Sequence, residues 1–372
     1  MLTSITRYLK HIPGWTTNRK LFVIESDDWG GTRMPSNSVK ELLIKKGLNL
    51  SNNFLQYDIL ASSEDLECLY EILMKYKDFK GYNVKFSPFV NVTNPDFDKI
   101  IESDYQEYYY EFFTETLKKY YQNNVFDYWL QGMENNVFSP QYHGREHFNV
   151  PSLMRHLQSD DESFKFAFKN GVVHMPIQLK NDTHRTLNSL APAYYFFNQD
   201  DLKSHKESLN SGLEIFKNIL GKNPMSFAAP NGIFHPELED VFKNTTIENL
   251  VVNKERIEPS PGGGIQKRDF RFKFGSINKN NQLYYRRNVK FEPVQLSYNY
   301  KKVISEIEAA FLMRKPVIMT SHRINFVGSL NKEHRDKNLR EFDKVLEYVK
   351  NKHPDVEFID SGELGKIMRK KN

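Results

Sequence analysis

The chain has 372 residues and a net charge of +5 with interspersed signs, which gives no indication of nucleic-acid binding. It contains no run of about 18 apolar residues, so we expect no membrane span, and its first 15 residues lack the apolar stretch of a secretory signal. The single cysteine, Cys68, excludes an intramolecular disulfide and favours a reducing, cytoplasmic compartment.

Short apolar runs alternate along the chain with stretches of helical character, an order that favours a parallel sheet. Barrels built in this way reach roughly 250 residues and more as one unit, so the length fits a single domain over residues 1–372. We expect an α/β fold, a distorted (β/α) barrel of mostly parallel strands, because polar residues that could form a site follow several of these runs. The predicted strands are residues 21–24, 84–92, 172–176, 250–252, 317–320 and 356–359.

The first predicted strand ends in two adjacent aspartates, Asp27 and Asp28. The four apolar residues at 21–24 are typical of a strand with both faces buried, and Gly30-Gly31 then favours a turn that exposes what precedes it. In a parallel barrel, active sites are built at this end of the strands. Two carboxylates held together there either share a proton or flank a cation.

A stretch rich in aromatic residues, 105–137, follows the second predicted strand. Two interpretations are open: it covers the mouth of the barrel as a wall on which a sugar stacks, or it packs its aromatic side chains onto the barrel. We favour packing, because aromatic side chains more often anchor a core.

Two histidines, His143 and His147, come next with the spacing i and i+4. On one face of a helical turn, this spacing lets both imidazoles reach one metal ion. Together with Asp28 they would form a set of two histidines and one carboxylate that leaves a coordination position open, as catalytic zinc sites do. The alternative is a chance pair on a solvated helix, since the chain has 11 histidines.

Residues 204–220 predict an amphipathic helix, because apolar residues recur at helical spacing. The Pro- and Gly-rich residues 259–264 predict a surface loop and not a phosphate site, which would need a strand before the glycines and a helix after them. We expect this loop to lead into a hairpin over residues 270–288 with a polar turn at 278–282.

The apolar run at 317–320 ends in a polar tip that contains His322. A histidine at such a tip is a candidate general acid, since its ordinary pKa lies near neutrality. For an isolated histidine, a cap on the following turn is the more common role.

These elements, in this order, resemble the polysaccharide deacetylase family, the metal-dependent carbohydrate esterases with a NodB-type domain. Its first motif ends in two aspartates, the catalytic base and a metal ligand, which correspond to Asp27 and Asp28. Its His-x-x-x-His motif corresponds to His143 and His147, and the histidine of its fifth motif to His322. The resemblance covers about residues 20–367, with insertions at about 100–140 and 262–290.

The third motif of the family, Arg-x-Pro-Tyr-Gly, is altered here to Ala228-Ala229-Pro230-Asn231-Gly232. Ala228 therefore replaces the arginine that holds the catalytic aspartate, and Asn231 replaces the tyrosine. No counterpart of the fourth motif is obvious. Residues 286–293 lie at about its place, so Arg287 is the candidate to replace the missing arginine and Glu292 the candidate to orient His322.

The resemblance implies hydrolysis of an N-acetyl or O-acetyl group on an amino sugar or an oligo- or polysaccharide. One divalent ion would be held by Asp28, His143 and His147, with zinc first and Co, Mn, Ni or Fe as alternatives. Asp27 would be the base and His322 the acid. Asn231, Arg33 and Arg145 are candidates to contact the substrate.

Two other functions are weighed against this one. A sugar-binding protein that has lost activity is suggested by Ala228 at the arginine position. A non-haem iron oxygenase also uses two histidines and one carboxylate, but it typically supplies them from an antiparallel barrel, which the alternation of strands and helices contradicts.

Overall fold

The structure, a computed structural model, describes residues 14–176, 189–253, 255–269 and 273–370. Its strands are β1 (Lys20–Trp29), β2 (Phe86–Val90), β3 (Thr93–Pro95), β4 (Tyr110–Phe112), β5 (Gln141–Tyr142), β6 (Ser226–Ala228), β7 (Asn249–Val251), β8 (Glu255–Ser260), β9 (Gly264–Asp269), β10 (Leu283–Tyr285), β11 (Val289–Lys290), β12 (Val317–His322) and β13 (Val356–Phe358).

The α-helices of the described residues lie between these strands. They are α1 (Asn37–Lys45), α2 (Asn53–Tyr57), α3 (Ser63–Lys75), α4 (Phe97–Glu102), α5 (Phe113–Tyr120), α6 (Val125–Glu134), α7 (Val150–Leu157), α8 (Glu162–Lys169), α9 (Gln199–Leu220), α10 (Tyr300–Leu312), α11 (Lys332–Lys352) and α12 (Ser361–Arg369). Short 3₁₀ segments are found at Pro230–Gly232, Pro236–Phe242, Pro261–Gly263 and Arg323–Asn325. None of the described helices combines the length and the apolar character that crossing a bilayer requires.

Nine strands form the central sheet, in the order β10-β7-β6-β5-β2-β1-β12-β11, with β13 paired to β1. Every pair in it is parallel. The strands at its two ends, β10 and β11, are only three residues apart in the chain. One extended run, residues 283–290, thus pairs with β7 at its beginning and with β12 at its end, and curls the sheet into the predicted distorted barrel.

Strand β1 lies at the centre of the sheet, between β2 and β12. Its residues 21–24 are at most 1% exposed, as their apolar side chains predict. Its pairing with β12 places Asp27 beside His322, so residues far apart in the sequence meet at one edge. Its pairing with β2 shifts register between Ser26 and Trp29, where Asp28 has a φ of 74°.

The aromatic stretch 105–137 packs onto the barrel, as favoured above. Phe113 and Trp129 are buried, with ring centroids 4.9 Å apart, and Trp129 contacts Trp29 of β1 edge-on. The predicted helix 204–220 is the C-terminal part of α9, which ends at Leu220 because Gly221 adopts a left-handed φ of 64°.

Three sequence predictions of local structure are wrong. Residues 172–176 are irregular and not a strand, and the His-x-x-x-His segment lies in a loop and not on a helix. The antiparallel hairpin is formed earlier than predicted, by β8 and β9 around Pro261–Gly263. A turn is present at 278–282, closed by the Asn278 N–H donating to the Gln282 carbonyl, but the strand that follows it joins β7 in the parallel sheet. Residues 270–272 of the predicted hairpin lie outside the described residues.

Candidate metal centre

The predicted site residues come together at the mouth, the edge where the parallel strands end. Asp27 and Asp28 are near the end of β1, His143 follows β5, His322 ends β12, and Arg287 lies in the run that joins β10 to β11. Because the strands are parallel, all these ends face the same side of the barrel. They line one cavity of about 530 Å³.

Asp28, His143 and His147 form a buried cluster whose ligand atoms lie within 4.8 Å of one another. Asp28 Oδ1 is 2.8 Å from His147 Nε2 and 3.6 Å from His143 Nε2. The left-handed backbone of Asp28 is uncommon for a residue other than glycine. Asp28 lies where the pairing of β1 with β2 shifts register. The irregular backbone at this point gives the adjacent residues Asp27 and Asp28 different partners.

The two histidines are positioned by a loop and not by helical spacing. Gly144 between them has a φ of 104°, and a Cβ at that position would lie 2.1 Å from the hydroxyl oxygen of Tyr194. Both the backbone conformation and the close approach of Tyr194 require glycine here. The loop brings the two imidazole centroids within 5.2 Å.

Hydrogen bonds orient both imidazoles. His143 Nδ1 donates to the carbonyl of Ala228 at 2.7 Å, which leaves Nε2 directed at Asp28. Arg33 Nη2 donates to His147 Nδ1 at 3.1 Å and to Asp28 Oδ2 at 3.2 Å. Since a guanidinium can only donate, His147 Nδ1 is an acceptor and its Nε2 carries the proton that faces Asp28. A metal ion bound at Nε2 would displace that proton.

The charges of the cluster suit a divalent cation. Burial raises the pKa of Asp28, but the opposing charge of Arg33 and the hydrogen bond from His147 Nε2 hold it well below its usual value. Burial, offset in part by Asp28, lowers the pKa of His147 to about 4. An ionised carboxylate beside neutral imidazole is the donor set that zinc and related ions prefer. The residues present therefore fit a metal ion.

Arg287 forms a paired contact with Asp27 in which its Nη1 and Nη2 donate to the two carboxylate oxygens at 2.5 and 2.6 Å. Its Nε donates to Glu25 at 2.6 Å. Burial raises the pKa of Asp27, but the charge and hydrogen bonds of Arg287 outweigh it and the pKa lies below its usual value. The structure thus places Arg287 where the missing arginine at position 228 led us to expect it.

Glu25 was missed by the sequence analysis. It is fully buried in β1 and accepts hydrogen bonds from Tyr285 at 2.5 Å, Ser361 at 2.7 Å and Arg287. The available signal was an ionisable residue just after a continuous apolar run, which is costly to bury without partners. Its hydrogen bond to Nε of Arg287 helps to hold the guanidinium against Asp27.

His322 is paired with Glu292, as the sequence analysis proposed. Its Nδ1 lies 2.5 Å from Glu292 Oε1, and Asn325 donates to the other oxygen of Glu292 at 2.8 Å. Burial lowers the pKa of His322, but the charge and hydrogen bond of Glu292 raise it to about 9. The imidazole is therefore protonated at neutral pH.

The remaining predicted residues differ in their placement. Asn231 lines the cavity. Arg33 also lines it, but it is buried and held by Asp28 and by Asp58 at 3.5 Å, so its charge is already neutralised. Arg145 is not among the lining residues, because its guanidinium is bonded to Glu146 at 2.6 Å and lies over the ring of Tyr110. The expectation that Arg145 contacts substrate is not supported by this position.

Solved structures with a similar fold cover nearly the whole chain. A protein from Parabacteroides distasonis assigned as a glycoside hydrolase or deacetylase has a TM-score of 0.49 at 11% identity, over 96% of this chain and 73% of that one. One from Mycobacterium smegmatis assigned as a polysaccharide deacetylase has a TM-score of 0.43 at 10% identity, over 96% and 93%. A CE4 family pseudoenzyme from Bacillus anthracis has a TM-score of 0.39 at 10% identity, over 94% and 66%.

No protein-family model and no curated protein matches the chain. The similarity to polysaccharide deacetylases predicted from the motifs is thus present in the fold, at low sequence identity. Because a fold does not determine a function, the side chains at the mouth must carry any inference about activity.

Proposed function

We propose that this protein is a metal-dependent carbohydrate deacetylase that removes an N-acetyl group from an amino sugar. The observation that carries the proposal is that Asp27, held by Arg287 and paired in register with His322, lines one cavity with the cluster of Asp28, His143 and His147. A base, a metal-ion ligand set and a protonated acid therefore face one cavity.

A divalent ion held by Asp28, His143 and His147 would supply Lewis acidity, polarising the acetyl carbonyl and lowering the pKa of water. Zinc suits these ligands first, with Co, Mn, Ni and Fe as alternatives. Asp27 has the role of general base. Its low pKa keeps it ionised at neutral pH, and each carboxylate oxygen retains a lone pair beyond the one that Arg287 occupies.

The proposed reaction needs two proton transfers. Asp27 takes a proton from the attacking water, whose oxygen bonds to the acetyl carbon. As the C–N bond breaks, His322 donates its proton to the departing nitrogen, and the products are acetate and a free amine. The high pKa of His322, about 9, ensures that the proton is present at neutral pH.

The two other functions are less well supported. Ala228 suggested an inactive sugar-binding protein, but Arg287 supplies the contact to Asp27 that an arginine at position 228 would have made. The three ligands also suit a non-haem iron oxygenase. The pairs Asp27–Arg287 and His322–Glu292, however, provide the base and the acid that hydrolysis requires.

The test is acetate release from oligomers of N-acetylglucosamine by protein reconstituted with Zn²⁺, with Co²⁺ and with no metal. We expect release with metal and none after removal of metal by a chelator. The Asp27→Asn variant serves as the matched control, since the amide keeps the shape of the side chain but cannot accept a proton. Absence of acetate with every metal and every acetylated sugar offered would reject the deacetylase.

A further inference from the structure

We infer that Arg33 competes with the divalent ion for its ligands Asp28 and His147, and that it gives up its hydrogen bond to His147 when the ion binds. The inference rests on the metal site of the proposed function and deepens it, since it assigns the residue that limits how tightly the ion is held. It does not require that the protein hydrolyse an acetylated sugar.

The two histidines of the cluster carry their protons on different nitrogens. The carbonyl of Ala228 can only accept, so the proton of His143 is on Nδ1 and its Nε2 is available to an ion. A guanidinium can only donate, so the hydrogen bond from Arg33 Nη2 at 3.1 Å requires an unprotonated His147 Nδ1. The proton of His147 is then on Nε2, 2.8 Å from Asp28 Oδ1. His143 is thus arranged to bind an ion through Nε2, and His147 is not.

Binding of an ion through His147 Nε2 reverses the hydrogen bonding of this ring. The ligand nitrogen must be unprotonated, and a neutral ring then carries its one proton on Nδ1. His147 Nδ1 and Arg33 Nη2, which are 3.1 Å apart, would become two donors facing each other. Arg33 therefore has to withdraw from His147 while the ion is bound.

Arg33 has the opposite polarity to an ordinary outer-shell partner. The second nitrogen of a metal-binding histidine normally donates to a carboxylate, a carbonyl or water, which strengthens metal binding. The carbonyl of Ala228 has this role at His143. A guanidinium in the same position at His147 favours the ring without the ion, so it weakens metal binding.

Asp58 offers the guanidinium of Arg33 a second position. Asp58 is held by Arg323, which donates to its two oxygens at 2.9 and 3.0 Å, and both residues are fully buried. Asp58 Oδ2 is 3.5 Å from Arg33 Nε, longer than the roughly 2.7–2.9 Å of a guanidinium–carboxylate hydrogen bond. Because a carboxylate oxygen has more than one lone pair, Arg33 can shorten this distance as it leaves His147.

The charges of the cluster act in the same direction. The side chains of Arg33 and Asp28 are 6% and 4% exposed, so salt screens their charges little. Arg33 Nη2 lies 3.2 Å from Asp28 Oδ2 and compensates the charge of that carboxylate. A divalent ion then adds positive charge beside an existing cation, and the repulsion opposes its binding.

Zinc affinity, measured by competition with a chromophoric chelator, tests the inference. We expect Arg33→Leu to lower the Kd for Zn²⁺ about ten- to a hundredfold, the scale of one hydrogen bond to a charged group. Arg33→Lys keeps the charge without the guanidinium fork and should have a Kd between those of Arg33→Leu and the parent. The matched control is Arg155→Leu, which removes an arginine of α7 that is bound to Asp201 at 2.8 Å and lies outside the cavity. It should leave the Kd unchanged.

Thermal unfolding separates competition from a purely structural role. Arg33 supports the chelator-treated protein through Asp28 and His147, whereas the zinc-loaded protein lacks the contact with His147. Arg33→Leu should therefore lower the Tm of the chelator-treated protein more than that of the zinc-loaded protein, so zinc should raise Tm by more than in the parent. Arg33→Gln removes the charge but keeps a polar side chain, and it should show the same pattern if the leucine variant does not fold.

The position of the ring protons can be observed directly by NMR of protein labelled with ¹⁵N-histidine. We expect the proton of His147 on Nε2 after treatment with a chelator and on Nδ1 after addition of Zn²⁺. The proton of His143 should be on Nδ1 in both samples. A proton on His147 Nδ1 in the chelator-treated protein would overturn the inference.

The affinity measurements give two further outcomes that would overturn it. Weaker zinc binding by Arg33→Leu would make Arg33 an ordinary partner that orients the ligands, and an unchanged Kd with equal loss of Tm in both forms would make it structural. Either outcome leaves the deacetylase standing if the parent releases acetate. Tighter zinc binding by Arg33→Leu, in a protein whose parent releases no acetate from any acetylated sugar, would keep this inference and reject the deacetylase.

Discussion

Replacement of Arg287 by methionine should lower turnover strongly without releasing the metal ion. Methionine keeps much of the length and apolar character of the side chain, but it removes two hydrogen bonds to Asp27 at 2.5 and 2.6 Å and one to Glu25 at 2.6 Å. The guanidinium of Arg287 donates to Glu25 and Asp27 and not to the three ligands Asp28, His143 and His147, so the metal content should be unchanged.

The magnitude follows from burial. Asp27 is 8% exposed and Glu25 is fully buried, so loss of Arg287 leaves two buried carboxylates without their cation. Removal of one partner from a buried pair costs about 3–5 kcal/mol of stability. Displacement of a base by about 1 Å costs about 100-fold in rate, so we expect kcat to fall by at least about that factor.

The pH dependence distinguishes lost charge from lost orientation. Burial raises the pKa of Asp27 and Arg287 lowers it, so Arg287→Met should raise that pKa and move the acidic limb of the kcat/KM profile to higher pH. Arg287→Lys keeps a positive charge but cannot form the paired contact. It should therefore lose turnover with a smaller shift of that limb.

The assay is acetate release across pH, with metal content measured for each variant. Ala228→Arg in the Arg287→Met background returns a guanidinium from β6, and recovery of part of the turnover is expected. If Arg287→Met deacetylates as fast as the parent at every pH, Arg287 does not hold Asp27 for catalysis. Loss of metal in Arg287→Met would contradict the expectation that Arg287 positions Asp27 without contributing to metal binding.

Three further predictions concern the metal ligands, the base and the acid. His143→Ala should lose the bound ion, measured as metal per chain. An unchanged amount of metal per chain would contradict the assignment of Asp28, His143 and His147 as the metal ligands. Asp27→Asn should retain the ion and lose about 10²- to 10⁴-fold in kcat; near-full turnover would reassign Asp27 to a structural role. Glu292→Gln should lower the pKa of His322 from about 9, because its charge and hydrogen bond are what raise it against burial. Since the acid acts in its protonated form, the alkaline limb of kcat/KM should then move to lower pH, and an unmoved limb would show that His322 is not the acid.

The sequence alone located most of the groups at the mouth. Asp27 and Asp28 could be placed at a strand end because the apolar run before them is long enough to identify a buried strand. His322 could be placed for the same reason. Position 228 holds alanine and not the arginine of the family motif, so Asp27 needs another cation if it acts as a base. This requirement made Arg287 the candidate partner of Asp27.

The tertiary structure decided how these groups are held. Strands β5, β6 and β11 are two or three residues long, too short for a periodic pattern, and they form because neighbouring strands offer a parallel edge. The spacing of His143 and His147 predicted a helix, but Gly144 and the packing of Tyr194 produce a loop that brings the same imidazoles together.

The partners of the buried charges were also beyond the sequence. Glu25 meets Arg287 across 262 positions of the chain, and Asp58 meets Arg323 across 265. The pair Glu25–Arg287 arises only when residues 283–290 join β7 to β12 and curl the sheet. Local residue patterns determine which segments are buried, whereas long-range strand pairing determines which buried charges meet, because that pairing depends on the packing of the whole barrel.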